Sequence, residues 1–310
     1  MKILVTGGAG FIASHLVDSL ISQGHDVIVI DNLSTGKKEN INPKATFFKE
    51  DISNAEGLEE IFSKERPDIV NHHAAQVDLR RSVNEPLYDA QVNILGSLNL
   101  IGLSNKYNVK KFIYISTGGA VYGEPKHLPA DENHPIDPLS QYGVSKHTVE
   151  HYLFVFKQTD GLQYTVLRYP NVYGPRQDPH GEAGVVAIFT EQMLDGKRPT
   201  IFGDGTKTRD YVYVDDLINA NINVMFDNVS LDGEIFNLGW GKETKDIEIF
   251  EAVRDALGLD VKPIYDEKRP GEIDHICLDS TKAAEQLNWR PKVKLQEGIK
   301  LTTNFYKERR

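Results

Sequence analysis

Tyr142 and Lys146 stand four residues apart in the stretch YGVSKHTVEHY. On a helix that spacing turns both side chains to one face. An ammonium beside a phenol favours the phenolate, whose proton is otherwise held to a pH of about 10. A phenolate so placed can take the proton of an alcohol while hydride leaves the same carbon for a nicotinamide ring. A tyrosine and a lysine at this spacing are common by chance, so their meaning depends on what precedes them. Such a tyrosine also wants a small hydroxyl at its side. The upstream stretch YISTGGAVYGE offers Thr117, with Ser116 before it and Gly118 and Gly119 after it.

The chain carries a dinucleotide signal ahead of that pair. In VTGGAGFIA, Gly7 and Gly10 lie between a strand-like run and a helical one, and Ala13 takes the third small position. Small residues there permit a tight turn, close approach of backbone to a pyrophosphate, and close helix packing. The helix start adds N–H groups and a dipole suited to phosphates. Asp31 ends the next strand, 21 residues after Gly10. Its carboxylate can accept the adenosine ribose hydroxyls and would repel a 2′-phosphate, which favours NAD over NADP. Lys37 and Lys38 stand close enough to leave NADP open.

These groups need a scaffold, and the sequence describes one. KILVTG, DVIVID, TFFKED, DIVNHHAA, KKFIYIS and YTVLRYPNVYG read as strands; FIASHLVDSLISQG, SLNLIGLSNKYN and the run 145–157 read as helices. Continuous apolar strands separated by helices predict a parallel sheet covered on both faces, and right-handed crossovers make it doubly wound. The fold class expected is therefore α/β: a Rossmann domain over residues 1–174, then a smaller mixed α/β domain over 175–310. The chain is free to cross back to the first. The 310 residues suffice for two cores of ordinary size.

Composition narrows the function further. A net charge of −10 without a strongly basic segment argues against a nucleic-acid partner. No apolar run is long enough to span a membrane. The chain opens directly on KILVTG, without a charged leader, and its single cysteine, Cys277, cannot form an internal disulfide; both favour the cytoplasm. His72 and His73 are adjacent on a strand and point to opposite faces, so no metal site is expected. Cys277 reads as an inert core thiol.

TGGAGFIA, YGVSK, RYPNVYGPRQ and TRDYVYVDD together resemble the extended short-chain dehydrogenase/reductase family over residues 1–308. Within that family the chain is most similar to the epimerases that interconvert UDP-glucose and UDP-galactose. The resemblance implies a tightly held NAD, loss of hydride from C4 of the sugar, a transient 4-keto sugar, and return of hydride to its other face. Tyr142 becomes the acid/base and Lys146 its electrostatic partner. Relatives often carry the catalytic serine or threonine three residues before the valine of VYG, where this chain has Gly118. Thr117 is the expected substitute and Ser116 the weaker one; otherwise the sugar or a water completes the relay. Dehydrating relatives carry Asp-Glu at the positions of Gly119 and Ala120, and decarboxylating ones a glutamate beside the valine, so epimerisation is the expected outcome.

By the same resemblance Phe11, Ile12, Asn32, Asp51, Ile52, Ala74, Ala75, Asn93 and Tyr169 join Gly7, Gly10, Asp31, Tyr142 and Lys146 in contacting NAD, with Thr117 beside the nicotinamide ribose. A UDP-sugar would be met by Asn171, Thr200, Phe202, Arg209 and Arg269, the two arginines clamping the diphosphate. Ile276 falls where the family gates its sugar pocket: small residues admit N-acetyl sugars, a tyrosine excludes them, and isoleucine is intermediate. A homodimer through helices near Asn93–Asn105 and Lys146–Lys157 is also implied. Epimerases of UDP-N-acetylhexosamine or UDP-glucuronate, NAD(P)-dependent nucleotide-sugar reductases or dehydratases, and a binder that kept the fold are the alternatives.

Overall fold

A computed structural model describes residues 1–180, 184–226, 231–268 and 273–310. Strand β1 (Lys2–Thr6) is buried from Ile3 onward and pairs in parallel on both sides. On one side lie β2 (Asp26–Ile30) and then β3 (Thr46–Phe48). On the other lie β4 (Ile69–His72) and β5 (Lys111–Thr117), also parallel. With β6 (Tyr164–Tyr169) and the strand Glu234–Asn237, the seven-stranded order is Glu234–Asn237, β6, β5, β4, β1, β2, β3. The direction of winding reverses between β1 and β4. Side chains buried on both faces explain why these strands read as unbroken apolar runs rather than alternating ones.

The helices that matter for the site have local causes. α1 (Phe11–Ser22) follows the glycine turn directly, with Gly10 at its N-cap. α2 (Ala55–Glu65) is capped by Asn54, which accepts from Gly57 N. α3 (Leu79–Asn84) is capped by Asp78, and α4 (Pro86–Ala90) starts on a proline. A π-helical segment, Gln91–Gly96, then leads into α5 (Ser97–Lys106). After β5 comes one helical turn, α6 (Gly118–Val121). α7 (Gln141–Asp160) begins at Ser140, whose hydroxyl accepts from Gly143 N, and ends on Gly161 in the left-handed region. It starts four residues earlier than the helix expected from Ser145, and so takes in Tyr142.

The chain forms two compact units. The first comprises Met1–Thr117, Ser140–Arg168 and Ile218–Phe236. Its core includes Leu4, Ile28, Phe62, Val70, Leu100, Phe112, Val149 and Val166. The second comprises Gly118–Leu139, Tyr169–Leu217 and Asn237–Arg310. The sequence put the main boundary near residue 174 and left crossing back open; the chain passes between units after Thr117, Leu139, Arg168, Leu217 and Phe236.

The second unit has short two-stranded ladders: Asn171–Tyr173 with Tyr211–Tyr213, Thr208–Arg209 with Thr244–Lys245, and Thr200–Phe202 with Ile264–Asp266. Buried Asp210 ties its loops together, accepting from the backbone N–H groups of Trp240, Gly241 and Leu278. Among the described residues no helix is long and apolar enough to cross a membrane.

Candidate active site

The turn after β1 is built for close approach. Gly7 has φ +70°, and a Cβ on it would stand 2.9 Å from Ala74 N. Only glycine satisfies both constraints. Gly10 N donates to Gly7 O at 2.9 Å, closing the turn. No side chain caps the start of α1, and its first turn holds no acidic residue. That amino terminus is therefore left to an anion. Phe11 and Ile12 are half-buried there, while Ala13 is buried.

Asp31, buried at the end of β2, accepts from Ala9 N at 3.0 Å and Leu33 N at 2.8 Å. Burial raises its pKa and those two N–H groups pull it back. Asn32 donates to Asp51 at 2.7 Å. Burial opposes the charge on Asp51, but bonds from Ser53 and Asn32 outweigh it and its pKa falls. Ile52 is a core side chain, and its carbonyl accepts from Asn99 at 3.0 Å.

His72 links this turn to the π segment. Ala74 N donates to Thr6 Oγ1, whose hydroxyl lies 2.7 Å from His72 Nδ1. His72 Nε2 lies 2.9 Å from Ser97 Oγ, and Ser97 donates to Asn93 O at 2.6 Å. Since Ser97 spends its proton on that carbonyl, Nε2 is the protonated nitrogen and Nδ1 accepts. Burial, then the nearby Lys146 and His73, hold the pKa of His72 well below its ordinary value. His73 is pushed down to about 3 by burial and Lys146. Both are neutral imidazoles, and the described residues contain no cluster able to hold a metal.

The tyrosine and lysine meet at the start of α7. Lys146 is 3% exposed, and its Nζ lies 4.3 Å from the centre of the Tyr114 ring. Burial lowers its pKa to about 7, while Glu150 and Asp89 raise it. Burial, followed by the charge of Asp89, drives the pKa of Tyr142 upward; the hydrogen bond from Thr117 pulls it down. Burial therefore dominates where the sequence suggested that the lysine would. Ser116 points the other way and donates to Glu150 at 2.5 Å. Glu150 is gripped by Arg168 through Nε at 3.1 Å and Nη2 at 2.6 Å. Burial opposes its charge, yet bonds from His147, Arg168 and Ser116 lower its pKa to about 2.

Residues 3–239 match the NAD dependent epimerase/dehydratase family. The chain belongs to that family. It is 52% identical to a crystal structure of UDP-glucose 4-epimerase with UDP-glucose from Thermotoga maritima, covering 100% of this chain and 99% of that one with a TM-score of 0.97. It is 44% identical to the Thermus thermophilus UDP-glucose 4-epimerase complex with NAD, covering 99% of each chain with a TM-score of 0.93. A UDP-glucose 4-epimerase of Mycolicibacterium smegmatis is 41% identical over 100% of this chain and 99% of its own.

NAD is the cofactor of this family, and the residues present fit it. The uncapped start of α1, the Gly7 approach to Ala74, and the carboxylate of Asp31 occur together at the carboxyl ends of β1, β2 and β4. That edge, where the winding reverses, is where open α/β sheets bind ligands.

In the first unit, then, hydrogen bonds and close approach connect Gly7 with Gly10 and Ala74, Asn32 with Asp51, and Thr117 with Tyr142. Ala75 follows Ala74 and is half-buried. Asn93 is nearly fully buried on the π segment and donates to Asp89 and Ser145. In the second unit, Tyr169 and Ile276 are buried, and Ile276 packs in a cluster with Val121, Tyr122, Ala130, Ile273 and Leu278. Arg209 donates Nη1 to the carbonyl of Thr208 at 2.7 Å. Asn171 N donates to Asp210 O, and Thr200 and Phe202 bound a strand. Arg269 lies outside the described residues. Cys277 is buried, which pushes its thiol up to about 12.

Sequence reasoning missed Gln76, Asp89, Glu150 and Arg168. Glu150 carried a signal, standing one helical turn beyond Lys146. The others carried none, because their partners are distant in the chain.

Proposed function

We propose that the chain is a UDP-glucose 4-epimerase, interconverting UDP-galactose and UDP-glucose. The observation that carries this reading is Tyr142, hydrogen-bonded by Thr117 and followed one turn later by buried Lys146. Gly119 and Ala120 supply no second acid or base for expelling water, so a ketone formed at this site has only its hydride to regain. The full-length likeness to epimerases from Thermotoga and Thermus supports the same substrate.

Gly7, Gly10, Phe11 and Ile12 would hold the pyrophosphate of NAD; Asp31 and Asn32 would hold the adenosine ribose. Asp51 and Ile52 would flank the adenine. Ala74, Ala75, Asn93, Lys146 and Tyr169 would line the remainder. When bound, NAD takes hydride from the sugar carbon and gives it back. Tyr142 takes the proton of the sugar hydroxyl at that carbon and later returns it. Burial keeps its phenol protonated at rest, so it is ready to act as the acid. Thr117 donates to the phenolate as it forms, and the ammonium of Lys146 stabilises the same charge.

For the UDP-sugar, Arg209 would meet the diphosphate, joined by Arg269, Asn171, Thr200 and Phe202. Ile276 would influence the pocket through the cluster it packs in. A homodimer through α5 and α7 belongs to this reading; exposed Leu95, Val144, Tyr152 and Val155 support it. So does a cytoplasmic setting, supported by the lone buried cysteine.

The test is product identity after separate incubation with NAD and UDP-galactose, UDP-N-acetylgalactosamine and UDP-glucuronate. NMR follows sugar configuration and absorbance follows NADH. Inversion at C4, fastest for UDP-galactose and without net NADH, is expected. Loss of water from the product, or NADH in proportion to turnover, would overturn the reading.

A further inference from the structure

Strand β5 outruns one of its neighbours. β4 ends at His72, which pairs with Tyr114, so Ile115, Ser116 and Thr117 continue past the end of β4. A single helical turn, α6, follows at once. Thr117, whose hydroxyl bonds Tyr142, thus sits on a strand end that β4 no longer holds. Two side chains of β5 tie that end to α7, the helix that carries Tyr142 and Lys146. Tyr114 OH donates to Lys146 O at 3.2 Å, and Ser116 Oγ donates to Glu150 Oε1 at 2.5 Å.

Glu150 is itself firmly fixed. It is 4% exposed, and Ser116 and Arg168 are as deeply buried. Oε1 also accepts from Arg168 Nε at 3.1 Å, while Oε2 accepts from Arg168 Nη2 at 2.6 Å and lies 3.2 Å from His147 Nδ1. Arg168 is the last residue but one of β6, the strand beside β5. One carboxylate therefore joins the ends of two adjacent strands to a single helix. A buried ion pair of this kind gives little stability that well-packed apolar residues could not give. Its charge-assisted bonds are short and directional, however, and they hold a hydroxyl where apolar contact would not.

We propose that Ser116 and Glu150 are positioning residues: their hydrogen bond fixes the end of β5 against α7, so that the next residue, Thr117, presents its hydroxyl to Tyr142. Ser116, the weaker sequence candidate for the catalytic hydroxyl, serves the site by holding its neighbour. Arg168 and His147 keep the carboxylate from turning away from the serine. The consequence for turnover rests on the epimerase reading; the setting of Thr117 against Tyr142 does not.

The test is a double-mutant cycle, because a residue that acts through Thr117 must lose its effect once the Thr117 hydroxyl is gone. Parent, Ser116→Ala, Thr117→Val and the double variant are compared in turnover of UDP-galactose. Ser116→Ala is expected to lower kcat by about 10-fold, within the range that a misplaced group costs. KM should stay parental, since no substrate contact is removed. Placed on top of Thr117→Val, the same change should cost nothing further. A second readout needs no substrate: the Tyr142 signal in protein labelled with carbon-13 at tyrosine Cζ, assigned with Tyr142→Phe. Ser116→Ala should move that signal in the direction that Thr117→Val moves it, and should leave it still in the Thr117→Val protein. If Ser116→Ala does not fold, Ser116→Cys, which keeps the size but donates weakly, carries the test and must show the same pattern. An unmoved Tyr142 signal, or an equal loss of kcat with and without the Thr117 hydroxyl, overturns the proposal even in an active epimerase. The expected pattern of NMR shifts in a protein that epimerises nothing would uphold it and sink the functional reading instead.

Discussion

A Cβ built on Gly118 would stand 2.4 Å from Leu278 Cδ1 and 2.8 Å from Cδ2. Leu278 cannot easily withdraw. It is fully buried among Val121, Tyr122, Ala130 and Ile276, and its N–H is bonded to Asp210 at 3.1 Å. The missing hydroxyl at position 118 is thus a packing matter, since the space a serine would need is filled. The hydroxyl of Thr117, at the end of β5, is bonded to Tyr142 and draws its pKa down.

Gly118→Ser is accordingly expected to destabilise the protein by about 1–3 kcal/mol through overpacking. Leu278→Ala alone leaves a cavity and costs about 2–5 kcal/mol. The double variant should cost clearly less than the sum, because the serine fills part of the cavity and escapes the clash. Urea denaturation of the four proteins measures this. Strict additivity would mean that the two side chains do not compete for the same space.

Thr117→Val keeps the shape of the side chain and removes its hydroxyl. Since that hydroxyl is the group drawing the Tyr142 phenol down, its loss leaves burial and Asp89 to raise the pKa further. Turnover with UDP-galactose should fall by about 100-fold or more, the scale of a lost acid–base contribution. The residual activity should climb toward higher pH, while Thr117→Ser stays close to the parent. Steady-state kinetics against pH decides it; a Val variant with parental kcat removes Thr117 from the mechanism.

Glu150 gives a pH dependence of stability with a definite sign. Its pKa is lowered from 4.5 to about 2 in the folded protein. It therefore contributes stability that is complete above 4.5 and is lost as pH falls toward 2. Arg168→Met leaves the carboxylate buried without its cation and should cost about 3–5 kcal/mol at neutral pH. In that variant the acid-side loss should flatten, since less pairing remains to be lost. Denaturant midpoints measured across the acid range test both statements. An Arg168→Met protein as acid-sensitive as the parent would contradict the pairing.

The strands and the glycine turn were legible because their signals are local. Unbroken apolar runs such as KILV and DVIVI reflect burial on both faces, and Gly7 is dictated by a backbone angle. Thr117 was legible only as one choice between neighbours; alternation along β5 sends Ser116 to Glu150 instead. The π segment left no trace in composition, since QVNILG has the spacing of any helix. Gln76 and Arg168 bond partners 13 and 18 residues away, and no periodicity reports such pairs. The passage of 118–139 into the second unit was hidden for the same reason: compactness is a property of contacts.

His72 ties the end of β1 to the helix that follows the π segment, and its loss should be felt as stability before chemistry. His72→Ala breaks the bonds to Thr6 and Ser97 and opens a cavity between β1, β4 and α5. A cost of about 2–4 kcal/mol is expected from the lost volume and the stranded hydroxyls. The pH behaviour distinguishes this histidine from an ordinary core residue. Its folded pKa lies well below 6.5, so the unfolded chain binds the proton first and stability declines as pH falls below that value. The Ala variant lacks that proton uptake, and its stability should change less between neutral pH and about pH 5. Urea midpoints of parent and variant at several pH values supply the comparison. Equal slopes would show that His72 titrates alike in the folded and unfolded chain, contrary to its buried, doubly bonded environment.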